Sequence, residues 1–411
     1  EGALTSAFLP IYSKLKTQNG EVLAFIYFKK VLYRVVISLF ILMIIFQIIM
    51  PFIIHFLAPG FLNNQNVVEQ TTTLSRITII FMPLISIVAI LGVATNVSGK
   101  FWVLAFTPTI LNTSIILGCF FINDYWTIKS LPLAIATVFG GLIQIIFILI
   151  MIKKFKIFNF KNLEKNISDR NINKQIQFQL SQTWKKFLPA AFGGGILQIN
   201  LLVDTILASL LGFGSISYLY FADRIAQLPL GIIGIALGTT LLTSLSKSIA
   251  SKDTNQFSKE LIISLKIGLF FSIPAALVFI NFSDLLIKVL FERGEFSFQE
   301  TIQTSHALLA YAFGVPAFIM LKSCQPAFLA EGNTKTPMYI GFVILILNII
   351  LSFSLMFFLK HAGIALATSI VSWIGTIIYI TLLIKAKKIT KPKFSFKEED
   401  ANLFSVILYG L

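Results

Sequence analysis

The chain has 411 residues, 56% of them hydrophobic and only 12% charged, with a net charge of +15. An ordinary soluble domain is about 45–50% apolar and about 25% charged, which excludes a soluble enzyme, a disordered chain and a disulfide scaffold. The 41 Phe and the long unbroken apolar runs, such as residues 35–54, specify an all-α integral membrane protein rather than a barrel of short alternating strands.

Windows of about 20 apolar residues predict about ten complete transmembrane helices. They cover 31–55, 75–96, 102–122, 131–152, 187–211, 216–245, 261–291, 302–325, 337–359 and 362–386. Residues 1–13 read as the tail of an earlier span, and 403–411 as the start of a later one. The sequence opens on EGALTSAFLP, without Met or a signal peptide, and stops on NLFSVILYGL, so both ends read as cut.

Lys and Arg set the orientation. Lys14, Lys16, Lys29, Lys30, Lys100, the 153–186 group, Lys247, Lys252, Lys259, Lys335 and the 385–397 group all fall on one side. The opposite connections carry only Arg76, Lys129, Lys288, Arg293 and Lys360. Strict alternation makes the basic side cytoplasmic, and it explains the net charge without a nucleic-acid partner. Segment 153–186 mixes nine basic residues with Phe155, Phe158, Phe160 and Phe178. It reads as a basic cytoplasmic linker resting on anionic lipid, with a binding arm as the sharper alternative.

An internal repeat organises the spans. Lys14 and Lys247, Pro83 and Pro316, and Gly99 and Gly332 are each 233 residues apart. Thr137 and Thr368 are 231 apart, and Asn112 and Asn348 are 236 apart. Six spans per repeat make the halves parallel, the plan by which transporters rock one half against the other. The chain is therefore expected to be a polytopic helical bundle of two pseudo-symmetric six-helix lobes. Residues 1–152 form an N-terminal lobe lacking its first helix and most of its second, and 153–186 the linker. Residues 187–388 form the C-terminal lobe, and 389–411 a cytoplasmic loop with the start of a further helix. The offset predicts about 45–60 further residues ahead of residue 1, with the counterpart of Arg224 among them.

Polar residues inside spans carry the functional signal. Arg224 sits about 12 Å into its helix at 1.5 Å per residue, where an Arg costs several kcal/mol (about 2.5 or more) unless it faces a cavity or a partner. Tyr220, Arg224 and Gln227 share one helix face, with Asp223 beside them. A forked guanidinium suits phosphate or carboxylate oxygens; the bland alternative is a structural pair with Asp223 or another carboxylate. Pro229, Gly231, Gly234 and Gly238 follow in the same helix and read as a hinge for alternating access or as close packing. Asp204, one turn after Asn200, can hold a proton or Na⁺, with oxygens from Asn348, Ser352 and Thr368. Pairing with an Arg, or interhelix hydrogen bonding, is the alternative. Arg34, Arg76 and Lys322 lie near span ends and read as snorkelling.

No chemistry of catalysis shows in the sequence. It has no P-loop, nucleophile elbow or paired carboxylates. His55, His306 and His361 lack ligand spacing for a metal, and Cys119 and Cys324 read as small core residues. With no ATP site and no cofactor, Na⁺ or the membrane potential is the expected driving force.

EGALTSAFLPIYSK, FLAPGF (56–61), FTPTILNTSI (106–115), SISYLYFADRIAQLPLGIIGIALGTTLLTSLSK (215–247) and VLFERGEF (289–296) resemble the MurJ (MviN) family of the multidrug/oligosaccharidyl-lipid/polysaccharide exporter superfamily. The resemblance spans nearly the whole chain. It implies a flippase of the bacterial inner membrane that moves lipid II, the undecaprenyl-pyrophosphate-linked peptidoglycan precursor, to the periplasmic leaflet. It also implies fourteen helices and a cationic cavity, with membrane lipids and other cell-wall synthesis proteins as partners. Arg224 matches the family's cavity Arg. Gln227 stands where many members have Glu, and Asp204, Asn348 and Thr368 fall at a proposed Na⁺ site whose second acid is Ser352 here. The competing readings are another exporter of the superfamily, which moves a polysaccharide-lipid or a drug against Na⁺, and a non-transporting scaffold for wall assembly.

Overall fold

The computed structural model describes residues 2–18, 20–122, 125–158, 170–251, 253–333 and 335–386. Among them every regular element is helical. The chain divides into two compact units, residues 1–195 and 196–411.

The first unit holds α1 (Gly2–Gln18), α2 (Glu21–Leu57), α3 (Gln65–Thr78), α4 (Phe81–Val97), α5 (Phe101–Ala105), α6 (Thr107–Cys119), α7 (Leu131–Lys154) and the first part of α8 (Arg170–Ser209). Its core is aromatic at one end. Phe8 stacks on Tyr12 and Tyr27 with ring centroids 5.4 and 5.5 Å apart, and the buried Tyr27 hydroxyl meets Thr183 Oγ1 at 2.5 Å. At 1.5 Å per residue α2 is about 55 Å long, well beyond a hydrocarbon core of about 30 Å. Its first turns bury Leu23, Ala24, Tyr27 and Phe28, while Phe40, Ile48 and Phe52 further along are exposed. An apolar surface of that extent requires lipid, not water.

Residues 159–169 of the expected linker, and the expected loop and helix start at 389–411, lie outside the described residues. Residues 170–186 form the opening turns of α8. Ile176, Leu180 and Thr183, at i, i+4 and i+7, are buried in the first unit, so an apolar stripe lies beneath the basic residues.

The second unit holds the rest of α8, then α9 (Ser215–Pro229), a π-helical turn at Leu230–Gly234, α10 (Ile235–Ala250), α11 (Thr254–Phe291), α12 (Phe298–Ala312), α13 (Val315–Leu329) and α14 (Lys335–Lys385). Among the described residues seven helices are long and apolar enough to cross a membrane, and α12 with α13, bent by 43°, makes an eighth. The 51 residues of α14 would reach about 77 Å if straight. The helix breaks at Lys360, whose φ of 51° is left-handed, and so holds both expected spans 337–359 and 362–386. The expected span 187–211 falls on α8 and ends two residues beyond it.

Each unit has a helix break at a repeat-equivalent place, α3–α4 in the first and α12–α13 in the second. Between α3 and α4, Ile80 N–H turns to the Ile77 carbonyl, away from its helical acceptor Arg76. The Arg76 carbonyl instead accepts from Gln47 Nε2 of α2 at 2.6 Å, and Arg76 Nε donates back to the Gln47 carbonyl at 3.1 Å. Arg76 is thus a reciprocal clamp rather than a snorkelling side chain. Between α12 and α13, Gly314 N–H turns to the Tyr311 carbonyl and frees that of Ala310. Ser369 Oγ of α14 donates to Ala310 at 2.7 Å, Trp373 Nε1 to the Phe313 carbonyl at 2.8 Å, and Thr376 Oγ1 to the Ala317 carbonyl at 3.2 Å.

Candidate functional site

The polar and charged site residues singled out in the sequence gather on α8, α9 and α14 of the second unit. The turn into α9 is built on glycine: Gly212 and Gly214 have φ of 104° and 88°, a left-handed conformation that other residues avoid. From Ser215, α9 carries Arg224 nine residues along, about 14 Å at 1.5 Å per residue. The guanidinium lies 4.7 Å from the centroid of the Tyr220 ring and donates from Nη2 to the Tyr220 hydroxyl at 3.2 Å. Both groups are exposed. Among the described residues Arg224 forms no ion pair with a carboxylate. Asp223, adjacent in sequence, accepts instead from Gln227 Nε2.

Pro229 ends α9 because it offers no N–H to the Ile225 carbonyl, and Leu230 N–H bonds back to Gln227. The extra residue is absorbed as the π turn, a geometry frequent at functional sites. Of the four expected hinge residues, Gly231 has open space around it. Gly234 and Gly238 approach α13: an added Cβ would come 3.7 Å from Lys322 Cγ and 3.3 Å from the Lys322 carbonyl oxygen. Close packing is therefore present at two of the four. Lys322, expected to snorkel, lays its stem beside Gly234 within the span.

The polar residues of the other group form a chain across two helices. Asn348 Nδ2 donates to Thr368 Oγ1 at 3.0 Å, which ties the two halves of α14 together, and Ser352 Oγ donates to Asn348 Oδ1 at 3.3 Å. Ser352 in turn borders the Asp204 carboxylate. Asn200 Nδ2 reaches Asp204 Oδ2 at 3.4 Å, while Asp204 Oδ1 and Asn200 Oδ1 are buried without a hydrogen-bond partner among the described residues. Two buried oxygens without donors suit a hard cation or a proton. Tyr311 of α12 is buried and near enough to interact with the charges of both Asp204 and Asp223. Within the apolar run of α12 it carried no sequence signal. The structure thus brings Asp204, Ser352, Asn348 and Thr368 together, and Tyr220, Asp223, Arg224 and Gln227 in a second group whose Asp223 is near enough to Asp204 for their charges to interact.

Comparison with known proteins gives a consistent result. The family model described as lipid II flippase MurJ matches residues 1–409. A probable lipid II flippase MurJ of Rickettsia prowazekii (strain Madrid E) is 35% identical over 377 residues, 91% of this chain and 71% of that protein. The solved structure of a lipid II flippase MurJ in an inward closed conformation superposes with a TM-score of 0.75 at 29% identity, covering 95% of this chain and 77% of that one. An inward-facing multidrug resistance MATE family transporter of the MOP superfamily gives a TM-score of 0.73 at 13% identity, covering 94% of this chain and 87% of that one, a likeness of fold alone.

Proposed function

The chain belongs to the lipid II flippase MurJ family, and from that membership and the Arg224 patch we propose how it works. It is a multi-pass protein of the bacterial inner membrane that flips lipid II, the lipid-linked precursor of peptidoglycan, with lipid II and membrane lipids as its partners. Arg224 carries the mechanism: an unpaired guanidinium well inside a span is held only if it faces a polar path. Its fork of donors matches the pyrophosphate oxygens of the substrate. The π turn after Pro229 lets α9 and α10 change their alignment as the site alternates between the two sides of the membrane.

The chain works as a transporter and not as an enzyme, since the substrate leaves chemically unchanged. Na⁺ at Asp204, assisted by Ser352, Asn348 and Thr368, supplies the driving force together with the membrane potential. The test is reconstitution into vesicles with labelled lipid II, reading headgroup accessibility from outside. Arg224→Ala is expected to insert normally and lose flipping, and Arg224→Lys to recover part of it. Flipping by Arg224→Ala at the wild-type rate would remove Arg224 from the mechanism. Asp204→Asn is expected to abolish the dependence on Na⁺, and an unchanged Na⁺ titration would refute the cation site.

A further inference from the structure

Asp223 and Arg224 are neighbours in sequence and carry opposite charges, near enough for each to sense the other. Had they paired, the guanidinium would already be neutralised before any substrate arrived. The structure shows the two side chains leaving in opposite directions along α9. Arg224 reaches back one turn and stacks on Tyr220, donating to its hydroxyl. Asp223 reaches forward one turn, where the Gln227 amide donates to its carboxylate. Each contact is an i,i+4 pair, the spacing that brings helix side chains together; neighbours sit about 100° apart round the helix, so only long, flexible side chains that are not held elsewhere can meet.

We propose that Tyr220 and Gln227 are positioning residues which hold the adjacent charges of Asp223 and Arg224 apart, so that the guanidinium stays free for the pyrophosphate. Two features give the arrangement its logic. A neutral amide at 227 satisfies one carboxylate oxygen without adding a charge, so it competes with Arg224 for Asp223 and leaves Arg224 alone. The Tyr220 ring attracts the cation through its face while leaving the guanidinium edge open to other acceptors. The inference rests on Arg224 being the substrate contact, and the experiment separates the two claims.

Lipid II affinity is measured on the purified protein for the wild type, Gln227→Leu, Gln227→Met, Gln227→Leu with Asp223→Asn, and Arg224→Ala, with the melting temperature of each as the control for folding. Gln227 is exposed, so neither replacement opens a cavity. The expected result is affinity weakened by about tenfold in both single replacements at 227, the size of one charge-assisted hydrogen bond. Adding Asp223→Asn is expected to restore affinity to near the wild-type value, which a loss of packing alone would not do. Wild-type affinity in Gln227→Leu and Gln227→Met, or no recovery with Asp223→Asn, overturns the proposal. If Arg224→Ala also binds lipid II as the wild type does, the substrate role of Arg224 falls too. If Arg224→Ala loses binding while the 227 replacements keep it, only the positioning role falls.

Discussion

The two helix breaks, α3–α4 and α12–α13, solve one problem with different residues. In both, an N–H turns back to the third residue before it and frees a carbonyl: Arg76 in the first unit and Ala310, 234 residues later, in the second. The first unit covers its carbonyl from α2 with Gln47, in an exposed reciprocal pair. The second covers it from α14 with Ser369, part of a stripe with Trp373 and Thr376 at i, i+4 and i+7. Neither unit holds the other's device. The residue 233 after Gln47 is Ile280, and those 231 before Ser369, Trp373 and Thr376 are Val138, Leu142 and Ile145. Close approach is also supplied from opposite sides. In the second unit the bend carries Gly314, against Ser369; in the first unit α7 carries Gly141, against Phe81. The repeat therefore preserves the need for a capped break, because a bare carbonyl in lipid is costly, and not the residues that cap it.

The sharpest way to break the comparison is Gly314→Val. A Cβ at 314 would lie 2.5 Å from Ser369 Oγ and 2.9 Å from the Ser369 Cα. Backbone cannot yield as a side-chain tip can, so a loss of about 3 kcal/mol is expected, read by thermal unfolding in detergent. Ser369→Ala comes next. It strands the buried Ala310 carbonyl and should cost about 1–2 kcal/mol, with faster hydrogen exchange at residues 313–318. Gln47→Leu is the smallest, at about 0.5 kcal/mol, because the second bond of the pair, from Arg76 Nε to the main-chain carbonyl of residue 47, survives the replacement. Should Gln47→Leu cost as much as Ser369→Ala, the distinction between a reciprocal clamp and a buried side-chain cap would be wrong. Hydrogen exchange sharpens it further: the α3–α4 break is expected to exchange faster than the α12–α13 break.

Much of this was legible in sequence. Hydropathy located the spans, and the join between the expected spans 337–359 and 362–386 falls at the Lys360 break. Composition gave the all-helical membrane class, and the ADR segment pointed to Arg224. Hidden from the sequence were the contacts that cross helices. Arg76 looked like an interfacial cation and is a clamp, because its partner Gln47 lies 29 residues away. Tyr311 looked like one more aromatic in an apolar run. The start of α8 reads in sequence as part of a basic linker resting on lipid, because Arg170, Lys174, Lys185 and Lys186 flank the stripe of Ile176, Leu180 and Thr183.

What the sequence determined by itself is what depends on one residue's transfer into lipid: which stretches are helical, which cross, which side is basic and where an Arg is too deep to be accidental. Those are sums over single side chains, and order along the chain suffices to compute them. Only the tertiary structure decided the pairings. Asp223 belongs to Gln227 and Arg224 to Tyr220; Asp204 keeps one oxygen without a donor among the described residues; and Ser369 caps a carbonyl 59 residues away in the chain. A hydrogen bond is a property of two groups within about 3 Å of each other, and separation in sequence carries almost no information about that distance once helices pack side by side.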